Sequence, residues 1–324
     1  MTEALPVAVS LDAFTSIGFW TSVGIIAGTF TIFTLGLQLN VGFTGIFNFG
    51  QAGFMAIGAY SMAIFVTDTG LSFWVAMPLA ILVTMAFALV VGLPSLRLRA
   101  DYLAISTIAF SEAVRLTALN ARDLTGGAQG IFGFTDAWES VSDTIEGWLV
   151  SLGWSDPERL FPLFIVVWVV ALLLTFVLSR AQRTPWGRVL RAVREDEDAA
   201  RALGKNAFSY KIQSLVIAAG LGAIAGFFLA LNLSFIVPDE FAPTFTFLGY
   251  SMLVLGGLAN YWGVAIGALI FEVILEGLRF VELPISDVKI AALRFVILGL
   301  ALILLMAFRP QGMFGKKEEM VLGE

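Results

Sequence analysis

From Ile17 to Leu39 the chain reads IGFWTSVGIIAGTFTIFTLGLQL, and from Ile290 to Phe308 it reads IAALRFVILGLALILLMAF. A helix needs about 20 apolar residues to cross the hydrocarbon core of a bilayer, and runs of this kind recur along the sequence. Of the 324 residues 58% are hydrophobic and only 14% charged, with a mean hydropathy of +0.89. A soluble fold of this length could not hide so much apolar surface, so one membrane domain is expected rather than two soluble ones.

Nine hydrophobic segments stand out, at 17–39, 46–67, 71–96, 101–119, 160–179, 212–231, 244–260, 263–280 and 288–308. The fold class that follows is an all-α polytopic membrane protein with about 8–10 transmembrane helices. Gly42, Gly45, Gly50 and Gly53 crowd the second segment, and Asn120 to Phe134 is rich in glycine, so broken or re-entrant pieces are expected there. The chain has no Cys and no His, which removes thiolate nucleophiles, imidazole bases and the commonest transition-metal ligands. Enzyme chemistry is thereby disfavoured, and no metal site is expected. Glu3 and Asp12 precede the first run without any Lys or Arg, so that run reads as a retained span rather than a cleaved signal.

The net charge of −6 conceals a segregation by loop. Arg97 and Arg99, the block from Arg180 to Lys211, and Arg309, Lys316 and Lys317 hold thirteen of the 19 basic residues. The alternate loops hold Asp123, Asp136, Glu139, Asp143, Glu146, Asp156, Glu158, Asp239 and Glu240. Cytoplasmic loops are enriched in Lys and Arg, and an odd number of crossings puts every basic cluster on that side. The expected organisation is an external segment 1–16, a membrane domain 17–308 with an external loop 120–159 and a cytoplasmic loop 180–211, and a cytoplasmic tail 309–324.

That cytoplasmic loop, RAQRTPWGRVLRAVREDEDAARALGKNAFSYK, is too long and too charged for a turn. Pro185 suits a first helical turn, Val189, Leu190, Val193, Ala199, Ala200 and Leu203 give a discontinuous apolar face, and Gly204 suits a helix end. One or two short surface helices are expected. They could lie on lipid headgroups, but Glu195, Asp196, Glu197 and Asp198 would be repelled by an anionic leaflet, which favours a protein partner.

Asp198-Ala199-Ala200-Arg201-Ala202-Leu203-Gly204 resembles the EAA loop of ABC importer permeases, with Asp for the usual Glu. Four further segments, in order, are similar to the LivM-type half of the branched-chain and neutral amino-acid permease family. They are Gly45 to Tyr60 (GIFNFGQAGFMAIGAY), Asp101 to Thr107 with Thr125-Gly126-Gly127, Leu255-Gly256-Gly257, and Arg309-Pro310-Gln311-Gly312. The resemblance implies a permease subunit of an ATP-driven importer for branched-chain or other neutral amino acids in the plasma (inner) membrane. It implies as partners a second, LivH-type permease, two ABC ATPase subunits and an external binding protein, with no nucleic acid. Arg191, Glu195, Asp198, Ala199, Ala200, Leu203 and Gly204 would then form the coupling helix toward the ATPase. No G-x-x-x-x-G-K-[ST] loop occurs, since Gly204-Lys205-Asn206 and Gly315-Lys316-Lys317 lack the upstream glycine and the hydroxyl residue. ATP and Mg are therefore expected on the partner chains, with no cofactor on this one.

Polar residues within spans are costly and are functional hypotheses by default. Asn48 and Gln51, with Gly50 and Gly53, could line a substrate pathway, or could bond neighbouring helices at a tight crossing. Glu112 and Arg115 have ion-pair spacing, as have Glu276 and Arg279, and Glu112 could also meet a zwitterion. Thr125, Gly126 and Gly127 belong either to an outer gate or to an ordinary loop. Gly24/Gly28, Gly222/Gly226 and Gly263/Gly267 mark close helix contacts. Two rival functions remain: a urea or amide ABC permease, and an ion-coupled secondary amino-acid transporter.

Overall fold

The computed structural model describes residues 16–154 and 158–277, together with 8–9, 281–282, 312–315 and scattered positions between 289 and 308. The long helices are α1 (Ile17–Leu37), α2 (Gln51–Thr67), α3 (Phe73–Ser95), α4 (Ala100–Asn120), α7 (Phe161–Ala181), α10 (Ala207–Leu233), α11 (Pro243–Gly256) and α12 (Tyr261–Gly277). Between them lie α5 (Arg122–Thr125), α6 (Asp136–Ser151), α8 (Pro185–Glu195) and α9 (Glu197–Ala202). Two-residue strands β1 (Ala8–Val9) and β2 (Val281–Glu282) pair antiparallel. Eight of the nine hydrophobic segments thus become helices, and most of the ninth, 288–308, lies outside the described residues, as does Arg279.

Five of these are long and apolar enough to cross a membrane as single helices, counting α1 with its continuation to Thr44. The α11–α12 pair bends by 116° and α2 is shorter. Burial sorts the five into two layers. The most apolar windows of α1 and α10 are 89% and 83% buried, whereas those of α3, α4 and α7 are 28%, 22% and 33% buried. The outer helices turn Leu82, Val90, Val169 and Leu173 outward, a surface that hydrocarbon tolerates and water does not. The inner ones reach close packing through glycine. A Cβ on Gly226 would lie 2.3 Å from the Met55 carbonyl oxygen on α2, and the Gly24 carbonyl accepts from Trp168 Nε1 on α7 at 2.9 Å. Some buried hydroxyls are satisfied within their own helix, as where Thr29 donates to Ile25 O and Thr175 to Ala171 O.

The first span does not end cleanly. α1 widens into a π-helical segment, Gln38–Thr44, which closes on Gly45 in the left-handed conformation at φ 73°. The chain then runs without helix through Phe49 and restarts at Gln51. The glycine-rich break expected in the second segment therefore sits at its beginning. A second break separates α11 from α12, where Gly257 and Ala259 both have positive φ.

Contacts sort the helix ends into two sets. At one end Thr44 hydrogen-bonds Ser214 near the start of α10, Arg97 after α3 stacks over Phe208, and Asn260 at the α11–α12 turn donates to Phe314 O. At the other, Ile131 bridges Ile236 and β1 pairs with β2.

Candidate coupling hairpin and permeation face

Pro185 opens α8, whose Leu190 and Val193 are buried. At Asp196 the backbone turns extended (φ −152°, ψ 104°), and its side chain caps α9 by accepting from Ala199 N at 2.9 Å. This break changes the phase of the apolar face. Ala200 packs with Val193 and Ala207 in the hairpin interior, while Ala199 is exposed and Leu203 is 81% exposed. The discontinuous apolar face read from the sequence is therefore two faces, one sealing the hairpin and one turned to solvent. Glu195, Asp198 and Gly204 are exposed with the second. Glu197 holds Arg201 at 2.6 Å and also pairs with Lys211 on α10.

Three contacts fasten α8 to the end of the first span. Arg194 donates to the carbonyl of Gly42. Arg191 lies 5.4 Å from the Phe43 ring centroid, and Phe43 stacks on Tyr261 at 4.7 Å. Leu190 shares a core with Leu35, Leu39, Phe43 and Tyr261. The π segment in turn touches the α11–α12 break: in the orientation that satisfies its amide, Gln38 accepts from Asn260 N (2.6 Å) and Ala259 N (2.7 Å). Arg191 thus points into the bundle, away from the exposed face of α9.

Asn48 and Gln51 meet in a buried seam. Asn48 Nδ2 donates to Gln51 Oε1 at 3.2 Å and Asn48 Oδ1 accepts from Gly50 N at 2.9 Å. Gln51 Nε2 donates to Ala218 O on α10 at 2.8 Å, and Tyr250 OH on α11 donates to Asn48 O at 2.9 Å. A Cβ on Gly50 would lie 2.7 Å from Thr107 O, and one on Gly53 2.9 Å from Ser111 Cα, so both glycines let α2 cross α4 closely. The Gln51 amide bonds a neighbouring helix here, and the Asn48 amide bonds Gln51 and Gly50 in its own segment.

Glu112 and Arg115 form a two-pronged ion pair on α4, with Nη2–Oε1 at 2.6 Å and Nε–Oε2 at 3.0 Å. Arg115 also reaches Asp239 at 2.8 Å, a residue that sequence reading placed only among the loop acids. Nearby, Thr125 Oγ1 donates to Ala121 O, and Gly126, Gly127 and Gly130 all take positive φ. A Cβ on Gly130 would lie 2.1 Å from Ile236 O, so the Ile131–Ile236 bridge depends on that glycine. The stretch is a stitched cap over the end of α4. Sequence reading also missed α6, an amphipathic helix with Trp138 buried and Glu139 and Asp143 exposed. Among the described residues no cluster of acidic side chains could hold a metal ion.

Residues 20–306 match the family model described as "Branched-chain amino acid transport system / permease component". The chain belongs to this family. It is 35% identical over 310 residues to the high-affinity branched-chain amino acid transport system permease protein LivM of Salmonella typhimurium, covering 90% of this chain and 69% of that protein. LivM of Escherichia coli is 34% identical over 296 residues, covering 88% and 67%. The nucleoside ABC transporter permease protein NupC of Lactococcus lactis is 26% identical over 293 residues, covering 82% and 86%. No solved structure matches the chain. Membership makes the chain a multi-pass transport permease, and the matched span contains both the α8–α9 hairpin and the Asn48–Gln51 seam.

Proposed function

We propose that the chain is the translocation subunit of an ATP-driven importer of branched-chain or other neutral amino acids in the plasma (inner) membrane, with its N-terminus outside and its C-terminus in the cytoplasm. The observation that carries this reading is the α8–α9 hairpin. Its inner side is bonded to the π segment and to α10, while Asp198, Ala199, Leu203 and Gly204 are left to solvent. A helix fixed to the bundle and bare outside is suited to receive a push from another protein. The chain has no phosphate-binding loop, so ATP and Mg belong to partner ATPase subunits. The positive-inside bias gives the orientation, because the hairpin, Arg97 and Arg99 share one end of the bundle.

The pathway is proposed along the face of α4 that bears Glu112, with the Thr125–Gly127 cap at its outer end. A half-exposed ionised cluster at membrane depth is costly against hydrocarbon and is at ease facing a wet path shared with a second permease. Paired opposite charges there suit a zwitterion delivered by an external binding protein. Asn48, Gln51, Gly50 and Gly53 shape that wall from behind by pinning α2 to α4, α10 and α11. The family description and the LivM relatives support aliphatic amino acids, and the Lactococcus relative keeps nucleosides as the second reading. Uptake of leucine, urea and a nucleoside by the purified complex in vesicles tests the choice. Transport of leucine alone supports it, and transport of urea or the nucleoside alone overturns it.

A further inference from the structure

The α8–α9 hairpin is tied to the π segment and to α10, yet it has little contact with α4. On that side lies a cavity of about 340 Å³, bounded by the end of the π segment, the α3–α4 connection, the hairpin and α10. Arg99, Arg194 and Lys211 line it together with a single carboxylate, Glu197. That carboxylate is already shared between Lys211 and Arg201, so it does not offset the two arginines of the wall as well. Arg194 donates to Gly42 O and Lys211 to Glu197, and a guanidinium and an ammonium each carry more donors than that. The stem of Arg194 runs along the wall, its Cγ 3.4 Å from where a Cβ on Gly45 would stand. Arg99 is exposed and forms no ion pair among the described residues. It precedes the first residue of α4, a helix start that no side chain caps, and the partial positive charge of a helix start adds to that of the side chains. The rest of the wall is apolar, with Ile46, Leu103, Val193 and a half-exposed Leu98. Leu93 and Tyr102, near the adjoining ends of α3 and α4, are exposed as well.

We propose that this cavity binds the phosphate of an anionic bilayer phospholipid, with Arg99, Arg194 and Lys211 supplying the positive charge and the acyl chains leaving over Leu98. Phosphate oxygens accept charge-assisted hydrogen bonds from such groups, and basic pockets between helices at the membrane edge suit anionic head groups. A zwitterionic amino acid would bring a further cation to a wall that already has an excess of them. A soluble phosphate answers the cations but leaves Leu98 uncovered, whereas a lipid covers it with methylenes. Bound there, the phosphate joins α4 to the hairpin on the side that protein contacts leave loose. Occupancy does not depend on which solute is carried.

The test is native mass spectrometry of the full chain, alone and assembled with its ATPase subunits, released from nanodiscs of phosphatidylcholine with a minor fraction of phosphatidylglycerol. Preferential retention of phosphatidylglycerol is expected in both preparations. Arg99→Gln lowers that preference about tenfold, the weight of one charged hydrogen bond, and Arg99→Lys keeps most of it. Arg97→Gln removes the same charge from a side chain stacked over Phe208 outside the cavity and leaves the preference unchanged. Glycerol phosphate without acyl chains does not displace the lipid, and this competition on the unaltered protein decides even if a variant fails to assemble. Four results overturn the proposal: no preference for the anionic lipid, equal losses from Arg97→Gln and Arg99→Gln, displacement by glycerol phosphate, or retention that disappears once the ATPase subunits are bound. The last two assign the cavity to a soluble phosphate and to the partner protein.

Discussion

The guanidinium of Arg194, one residue before the end of α8, donates to the backbone carbonyl of Gly42 within the π segment that closes the first span. A π turn leaves carbonyls poorly committed to the helix and tends to occur at functional positions, so Gly42 O is available to an outside donor. Arg194 thereby ties the solvent-side hairpin to a backbone distortion inside the membrane domain. Through Gln38 the same distortion meets the α11–α12 break. Displacement of α9 therefore has a continuous route into two broken helices, and each break is a place where small backbone rotations become larger movements.

Arg194→Met keeps the stem of the side chain and removes the charged hydrogen bond, an interaction of about 1.5–3 kcal/mol when a charged group is involved. The expected outcome is an assembled complex that still hydrolyses ATP while uptake per ATP falls roughly tenfold or more, by the same measure. The ratio of leucine uptake to phosphate release in vesicles checks it, and an unchanged ratio counts against this route.

Ala199 and Ala200 are neighbours with opposite roles. Ala199→Glu places a bulky charge on the exposed face of α9 and is expected to abolish co-purification of the ATPase while leaving the melting temperature within a degree or two. Ala200→Leu overfills the Val193–Ala207 interior and costs about 1–3 kcal/mol of stability, lowering the melting temperature. Pull-down and thermal melting of each variant separate the two effects. Equal behaviour would remove the distinction between the faces.

The Glu112–Arg115 pair is tested by exchanging its charges. If the pair serves only to neutralise α4, Glu112→Arg with Arg115→Glu, combined with Asp239→Lys so that the third contact stays attractive, restores the ion pairs and uptake together. If it meets a zwitterion, the exchange leaves uptake at least tenfold low even in the assembled complex, since one reversed charge contact is worth more than about 1.4 kcal/mol. Initial rates at saturating binding protein supply the comparison.

Gln51→Leu is nearly isosteric and deprives Ala218 O and Asn48 Nδ2 of their partner. A buried polar group left unsatisfied costs about 1–3 kcal/mol, so melting of the purified complex is expected several degrees lower, with the order of substrate preference unchanged. A change of preference without loss of stability would instead make Gln51 a substrate contact.

Hydropathy made most of the helices legible. The segment read as 71–96 became Phe73–Ser95, and 160–179 became Phe161–Ala181, because an unbroken apolar run in lipid has helix as its only satisfied backbone state. The segment read as 46–67 lost its first turn, since Gly45 and Gly50 let the backbone leave the helix where Asn48 could satisfy it. The segment read as 212–231 gained a turn at its start, for Asn206 caps a helix whose opening residues, Ala207 to Lys211, include Ser209 and Lys211 and so fall below the hydropathy of the span. The hairpin was legible through Pro185 and Gly204, but its two phases were not. They depend on the extended backbone at Asp196, which no periodicity signals. Arg194 and Gly42 are 152 positions apart, and a carbonyl acceptor has no sequence signature. α6 stayed hidden because its acids were read as loop composition, although Trp138, Val141 and Ile145 recur at helical spacing.

The claim on which the rest depends is that force enters from a separate ATPase through α9. It is tested most directly by leucine accumulation in vesicles, comparing the assembled complex with internal ATP against this chain alone under an imposed proton or sodium gradient. Concentrative uptake by the complex alone, lost with Ala199→Glu, is the predicted result. Concentrative uptake by the isolated chain would contradict it.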